Sequence, residues 1–187
     1  LKSILAATND IPIYTASITP AGVKCAGEVA DGVFPIFYSP EKFSVFGDDL
    51  DIGFAKAGNG KSMADFDVAP SLAIQMGDDV DACRDAIRPF LSLYIGGMGA
   101  KGKNFYTSFA TRLGYGEAAE KVQDLYLAGN KEEAAAAIPD AFIDEVALVG
   151  PEERIREHAT KWIDAGKRGE IGTIMLGANQ PEQLDLA

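Results

Sequence analysis

Ile11-Pro12-Ile13-Tyr14-Thr15-Ala16, followed at once by Thr19-Pro20, decides how the rest of the chain reads. A short apolar, β-rich run that breaks into a helix start is one βα unit. Thr19 offers a hydroxyl to the free N–H groups of the first turn, and Pro20 at the first helical position has no N–H to waste. Val23, Ala26 and Ala30 carry that helix onward. Gly32 and Val33-Phe34-Pro35-Ile36-Phe37 then give a second strand, and Ser39-Pro40-Glu41 repeats the start signal with an acid in the first turn. Phe43, Phe46, Leu50, Phe54 and Ala57 recur at helical spacing until Gly58-Asn59-Gly60 stops them.

The third strand spans 66–76, where Pro70 marks a bulge or an edge position. Asp78-Asp79 caps a helix bearing Val80, Cys83, Ile87, Phe90, Leu91 and Tyr94, with a kink expected at Pro89. From Gly96 to Pro139 the alternation breaks. Gly96-Gly97-Met98-Gly99 reads as a flexible loop, with helices at 105–113, 117–127 and 131–138 after it. A short helix is expected at 142–149, another after Gly150-Pro151-Glu152, and a fourth strand at 171–176. Strand and helix in regular alternation predict a parallel sheet with right-handed crossovers in an α/β protein. The glycines at 96, 97 and 99 follow a helix, so they are no dinucleotide-binding fingerprint.

At 187 residues the chain suits a single domain. Seventeen Lys+Arg against 28 Asp+Glu leave a formal charge of −11, which disfavours nucleic acid and anionic membrane as partners. No apolar run approaches the roughly 20 residues of a membrane span, and a soluble, cytoplasmic protein is expected. Cys25 and Cys83 lack metal-ligand spacing and read as two buried thiols in helices. No metal cluster and no nucleophile–base pair stands out. The sole histidine, His158, reads as a surface or half-buried helix residue. The chain opens on Leu1 without a signal-peptide pattern, as a piece of a longer reading frame would.

Four ordered stretches together resemble the luciferase-like monooxygenase family, especially its members that use the deazaflavin coenzyme F420. They are residues 11–20 with Ala26-Gly27-Glu28-Val29-Ala30-Asp31-Gly32; Phe34 to Lys42; Gly77 to Ala82 with Arg88 to Gly99; and Val146-Ala147-Leu148-Val149-Gly150-Pro151. The resemblance implies a (β/α)8 TIM barrel represented by strands five to eight, with 1–187 as one partial-barrel domain. Residues 96–139 would be a helical insertion after strand seven. A whole barrel of this kind takes about 250 residues. The N-terminal half would then be missing, and this chain would be inactive alone. Its expected partners are a small-molecule substrate and either a second copy or the absent half.

The resemblance also implies an oxidoreductase that binds F420, or alternatively FMN, at the barrel mouth. Such an enzyme transfers a hydride or activates oxygen on the reduced flavin. Ala16, Ser17, Ile18 and Thr19 would contact cofactor phosphate at a helix N-terminus, as would Gly177 and Ala178 after the last strand. Ser39 stands where sugar-phosphate-oxidising relatives place a lysine, which argues against such substrates, and it becomes a substrate-side candidate. Lys42, one turn on, reads as a solvated helix residue. Phe105, Tyr106 and Phe109 read either as packing of the insertion's own core or as a roof over an apolar substrate pocket, which makes Phe105 and Tyr106 substrate-side candidates. The acid/base residues would lie in the missing half, so no catalytic residue is assigned. A non-catalytic, barrel-derived binding or structural module is the reading from another class.

Overall fold

The computed structural model describes residues 11–177, and Ala178 and the residues beyond it lie outside that range. The chain alternates as expected. β1 (Tyr14–Thr15) leads to α1 (Pro20–Val29), and β2 (Gly32–Val33) leads to α2 (Ser44–Ala57). β3 (Asp67–Val68) and β4 (Ser71–Met76) are one extended segment interrupted at Ala69-Pro70, where proline has no N–H for the ladder. α3 (Val80–Ser92) and a π-helical turn (Leu93–Gly97) follow. Then come α4 (Phe105–Arg112), α5 (Gly116–Leu127), α6 (Lys131–Ala136), α7 (Asp140–Val146), β5 (Ala147–Gly150), α8 (Glu152–Lys167) and β6 (Met175–Gly177).

All strand pairs among the described residues are parallel. They form two three-stranded sheets, ordered β1-β2-β3 and β5-β4-β6, instead of the single sheet expected. The break follows from Pro70, but backbone bonds cross it. Ser71 N–H donates to the Pro35 carbonyl at 3.0 Å, and Met175 N–H donates to the Pro70 carbonyl at 2.9 Å. The 67–76 segment is thus bordered first by β2 and then by β5 on one side, and by the approach to β6 on the other.

The signals at Thr19, Asp79 and Gly58 act as read. Thr19 caps α1 through a 3.1 Å bond from the Gly22 N–H. Asp79 caps α3, accepting from Asp81 and Ala82, and Gly58 closes α2 at φ 70°. α1 and α2 pack closely because both present glycine at the crossing. A Cβ on Gly53 would stand 2.3 Å from the Lys24 carbonyl, and one on Gly27 would stand 2.9 Å from the Leu50 carbonyl. The core runs from Val23, Val33 and Leu50 through Tyr38, Phe46 and Phe109 to Phe142, Ile155 and Trp162.

Several expectations need correction. Residues 147–149, read as the end of a helix, form β5 with Gly150 beside β4, because this apolar quartet completes the ladder from Ala73 to Met76. The helix expected from Ser39-Pro40 starts at Ser44 instead; Pro40 and Glu41 form a turn, and Ser39 is buried. Gly96 and Gly97 are part of the π-helical turn and not of a flexible loop. Tyr126 lies where their Cβ atoms would be, 2.5 Å away in both cases. The strand expected at 171–176 narrows to Met175–Gly177. Cys83 is buried, but Cys25 is exposed on α1. No helix among the described residues is long and apolar enough to cross a membrane.

Candidate functional site

In a parallel sheet the strand C-termini, with the loops after them, are where ligands sit. After β1 the chain turns through Ala16, Ser17, Ile18 and Thr19. Ile18 is buried, Ser17 and Thr19 are half-buried, and Ala16 is exposed. Gly22 is needed one turn into α1, since a Cβ there would meet Ser17 Oγ at 2.9 Å and Thr19 Oγ1 at 3.0 Å. Two hydroxyls are therefore gathered at a helix N-terminus, one already engaged as its cap.

Arg112, at the end of α4, reaches this turn from 94 residues away and donates to the Ile18 carbonyl. The same guanidinium donates to the Val45 carbonyl at 3.3 Å and lies over the Phe109 ring. Burial pushes its pKa down, and Asp49 opposes that. Sequence reading missed Arg112, because nothing local marks an arginine whose partners are carbonyls of distant loops.

After β2, Phe37 adopts φ 56°, the only positive φ among the described non-glycine residues. Its ring, 5% exposed, meets Phe90, Tyr94 and Tyr106 edge-on at 5.8, 5.6 and 6.1 Å between centroids. Tyr94 in turn contacts Phe90 and Tyr106, each at 4.8 Å. A cavity of about 30 Å³ lies beside them, lined by Ile36, Phe37, Ser71, Ala73, Phe90 and Val146 among others. Tyr106 therefore joins an apolar cluster at the strand ends. Phe105, 65% exposed, stands outside it.

Ser39 and Lys42 belong to a third arrangement. Glu145, 8% exposed, receives Lys42 Nζ on both oxygens, at 2.7 and 2.8 Å, and the Tyr115 hydroxyl at 2.6 Å. Lys42 also donates to the Leu113 carbonyl at 2.6 Å and lies over the Tyr115 ring. It is no solvated helix residue. Burial pushes the Glu145 carboxyl up, but the bonds from Lys42 and Tyr115 outweigh that and hold it below the usual carboxylate range. Burial, then the bond to Glu145, raises the Tyr115 hydroxyl.

Gly177 is the last residue of β6, separated from β1 by β2 and the 67–76 segment. At a strand spacing of about 4.8 Å this leaves it on the order of 14 Å from the Ser17 turn. Ala178 lies beyond the described residues. His158 is half-buried on α8, its pKa lowered first by burial and then by Arg154 and Lys161. An apolar groove of about 470 Å³ lies elsewhere, between α8 and the β4–β6 face. Arg156 is the one charged side chain in its lining, and that offers no chemistry.

Known proteins resemble this chain in sequence and in fold. A Mycobacterium tuberculosis protein, provisionally named a coenzyme F420-dependent oxidoreductase, is 37% identical over 179 residues, covering 95% of this chain and 50% of its own length. The 5,10-methylenetetrahydromethanopterin reductase of Archaeoglobus fulgidus is 25% identical over 183 residues, covering 95% and 52%. Among solved structures, the coenzyme F420-dependent tetrahydromethanopterin reductase of Methanopyrus kandleri superposes with a TM-score of 0.65 at 20% identity, over 94% of this chain and 48% of that one. An F420-dependent secondary alcohol dehydrogenase gives 0.62 at 19%, over 93% and 45%. At such identities the two structures speak for the fold alone. The chain spans about half the length of the curated relatives it matches. With residues 2–169 matching the family described as luciferase-like monooxygenase, the chain belongs to that family.

Proposed function

We propose that the chain is the C-terminal part of a (β/α)8-barrel, F420-dependent oxidoreductase that moves a hydride to or from a small organic substrate. The observation that carries this reading is the 37% identity, across nearly the whole chain, to a relative named for F420. β1 to β6 would supply strands five to eight, and the helices between Gly96 and Pro139 the insertion over the mouth. The edges at β1 and β6 would pair with the remaining βα units, or with a second copy.

The residues present fit the cofactor. Ser17 and Thr19 offer hydroxyls at the N-terminus of α1, the Ala16–Ile18 backbone lines the same turn, and Arg112 adds positive charge to an acidic chain. Gly177, at the end of β6, with Ala178 next in sequence, would contact the cofactor away from that turn. When bound, the deazaflavin supplies the hydride chemistry. The chain's own residues orient it and exclude water. The aromatic wall of Phe37 and Tyr106, flanked by Phe105, would face the substrate, and Ser39, buried in the loop after β2, would lie behind it.

The test is fluorescence titration of the protein, purified as its gene encodes it in full, with F420 and separately with FMN. Saturable F420 binding at least tenfold tighter than FMN is expected. Tighter FMN binding would move the protein to the flavin monooxygenases, and binding of neither would leave a non-catalytic module.

A further inference from the structure

Phe37 is held in a conformation that glycine takes freely and phenylalanine does not. A bulky side chain kept at positive φ is a strained position of the kind that gathers at ligand sites, and here the ring heads an aromatic cluster. Tyr94, on the opposite wall, stands in the π-helical turn, a rare conformation that recurs at functional sites. Two unusual backbone segments, 57 residues apart, thus set rings against each other at the C-terminal end of β2.

The cluster is not closed like a core. Phe37 is 5% exposed, but Phe90 is 45% exposed and Tyr94 and Tyr106 are half-buried. Among the described residues neither the Tyr94 nor the Tyr106 hydroxyl has a hydrogen-bond partner. Burial raises the Tyr106 hydroxyl, and Tyr94 adds to this, so the Tyr106 phenol stays a protonated donor. Edges and faces of rings together with two uncommitted donors form a surface for one kind of molecule.

We propose that Phe37, Phe90, Tyr94 and Tyr106 form a recognition box for a flat, unsaturated ring bearing an oxygen acceptor. The ring lies against the exposed face of Phe90, with Phe37 packed behind it, and the tyrosine hydroxyls donate to its oxygen. This rests on the oxidoreductase reading and names the substrate class of that site: a cyclic enone, quinone or phenol instead of an aliphatic alcohol or a sugar phosphate.

The experiment uses three probes on the protein purified as its gene encodes it in full. 2-Naphthol has ring and oxygen, naphthalene has the ring alone, and decahydro-2-naphthol has the oxygen on a saturated frame. Saturable 2-naphthol binding is expected, with naphthalene and decahydro-2-naphthol each roughly tenfold weaker, the size of one lost hydrogen bond or ring contact. Tyr106→Phe combined with Tyr94→Phe keeps every ring and should bring 2-naphthol down to naphthalene. Phe90→Ala, at an exposed position, should weaken both aromatic probes. Equal binding of the three probes, or 2-naphthol affinity unmoved by these variants, would overturn the proposal, as would absence of saturable binding in protein that unfolds cooperatively. F420 titrated on the same samples separates the two readings. Cofactor binding without 2-naphthol selectivity removes the box alone, whereas 2-naphthol selectivity without cofactor binding removes the oxidoreductase.

Discussion

Lys42 Nζ lies 2.7 and 2.8 Å from the two carboxylate oxygens of Glu145, a residue 103 positions further along the chain. The bond joins the loop after β2 to the end of α7, and the Tyr115 hydroxyl, 2.6 Å from the same carboxylate, brings in the start of α5. Three segments that share no sequence neighbourhood meet on one charge. The pair therefore seats the helices after Gly96 on the strand ends.

Replacing Glu145 with Gln should destabilise the protein by about 1–3 kcal/mol, the cost of leaving buried polar groups without a full partner. The Lys42 side chain is still 36% exposed, so solvent screening places the effect toward the lower end. Denaturant unfolding measures it. An unchanged midpoint would show that the carboxylate holds nothing together.

The pH dependence has two sides. Glu145 is depressed in the folded state, so its contribution is present above 4.5, its ordinary value, and is lost as pH falls below that. Tyr115 is raised, so its contribution is present below 10.0 and is lost as pH climbs through the elevated value. Stability should fall at both extremes, and Glu145→Gln should flatten the acid side relative to the parent. Thermal midpoints measured from pH 3 to 11 test both limbs.

Phe37→Gly separates strain from packing. Glycine removes a conformational penalty of about 1–2 kcal/mol at φ 56°. Losing the ring costs about 3–5 kcal/mol where a buried phenylalanine is truncated. The net should be destabilising by roughly 2 kcal/mol, and Phe37→Ala, which keeps the strain, should be worse than Phe37→Gly. Equal stabilities of the two variants would mean the backbone there is unstrained.

Sequence reading found the βα rhythm because its signals are local. Thr19-Pro20, Asp79 and Gly58 each act on backbone groups within a turn of themselves. It failed at 147–150 because an apolar quartet after Phe142, Ile143 and Val146 continues a helical pattern as easily as it starts a buried strand. Only the neighbouring β4 edge decides, and that edge lies about 70 residues back. The local geometry of the candidate site was legible to the same degree. The Ser17–Thr19 turn could be read from a helix start, whereas Lys42 looked solvated because its partners are distant. Ser39 looked like a cap because Ser-Pro usually is one.

Gly96→Ala should cost about 1–3 kcal/mol, since the new methyl would stand 2.5 Å from Tyr126 Cβ, and overpacking of this kind forces backbone movement. Tyr126→Ala in the same chain removes the obstruction. The double variant should then be less unstable than the sum of the two single changes, and a double-mutant cycle by urea unfolding measures the difference. Strict additivity would show that the glycine serves the π-helical turn itself and not the approach of Tyr126.

Arg112 ties α4 to the turn after β1, and its bonds go to carbonyls, so its role is positional. Arg112→Ala frees the Ile18 and Val45 carbonyls and should cost about 1–2 kcal/mol of stability. Lysine cannot reach two carbonyls as a planar fork does, so Arg112→Lys should recover only part of that. If the turn holds cofactor phosphate, both variants should also weaken F420 binding, Ala by about tenfold, because the Ser17 and Thr19 hydroxyls would no longer be fixed before the ligand arrives. Thr19→Ala is the comparison. It removes the cap of α1, costing about 1 kcal/mol, while leaving the tether in place. A loss of stability in Arg112→Ala with F420 affinity unchanged would separate the tether from binding and exclude this turn from the cofactor site.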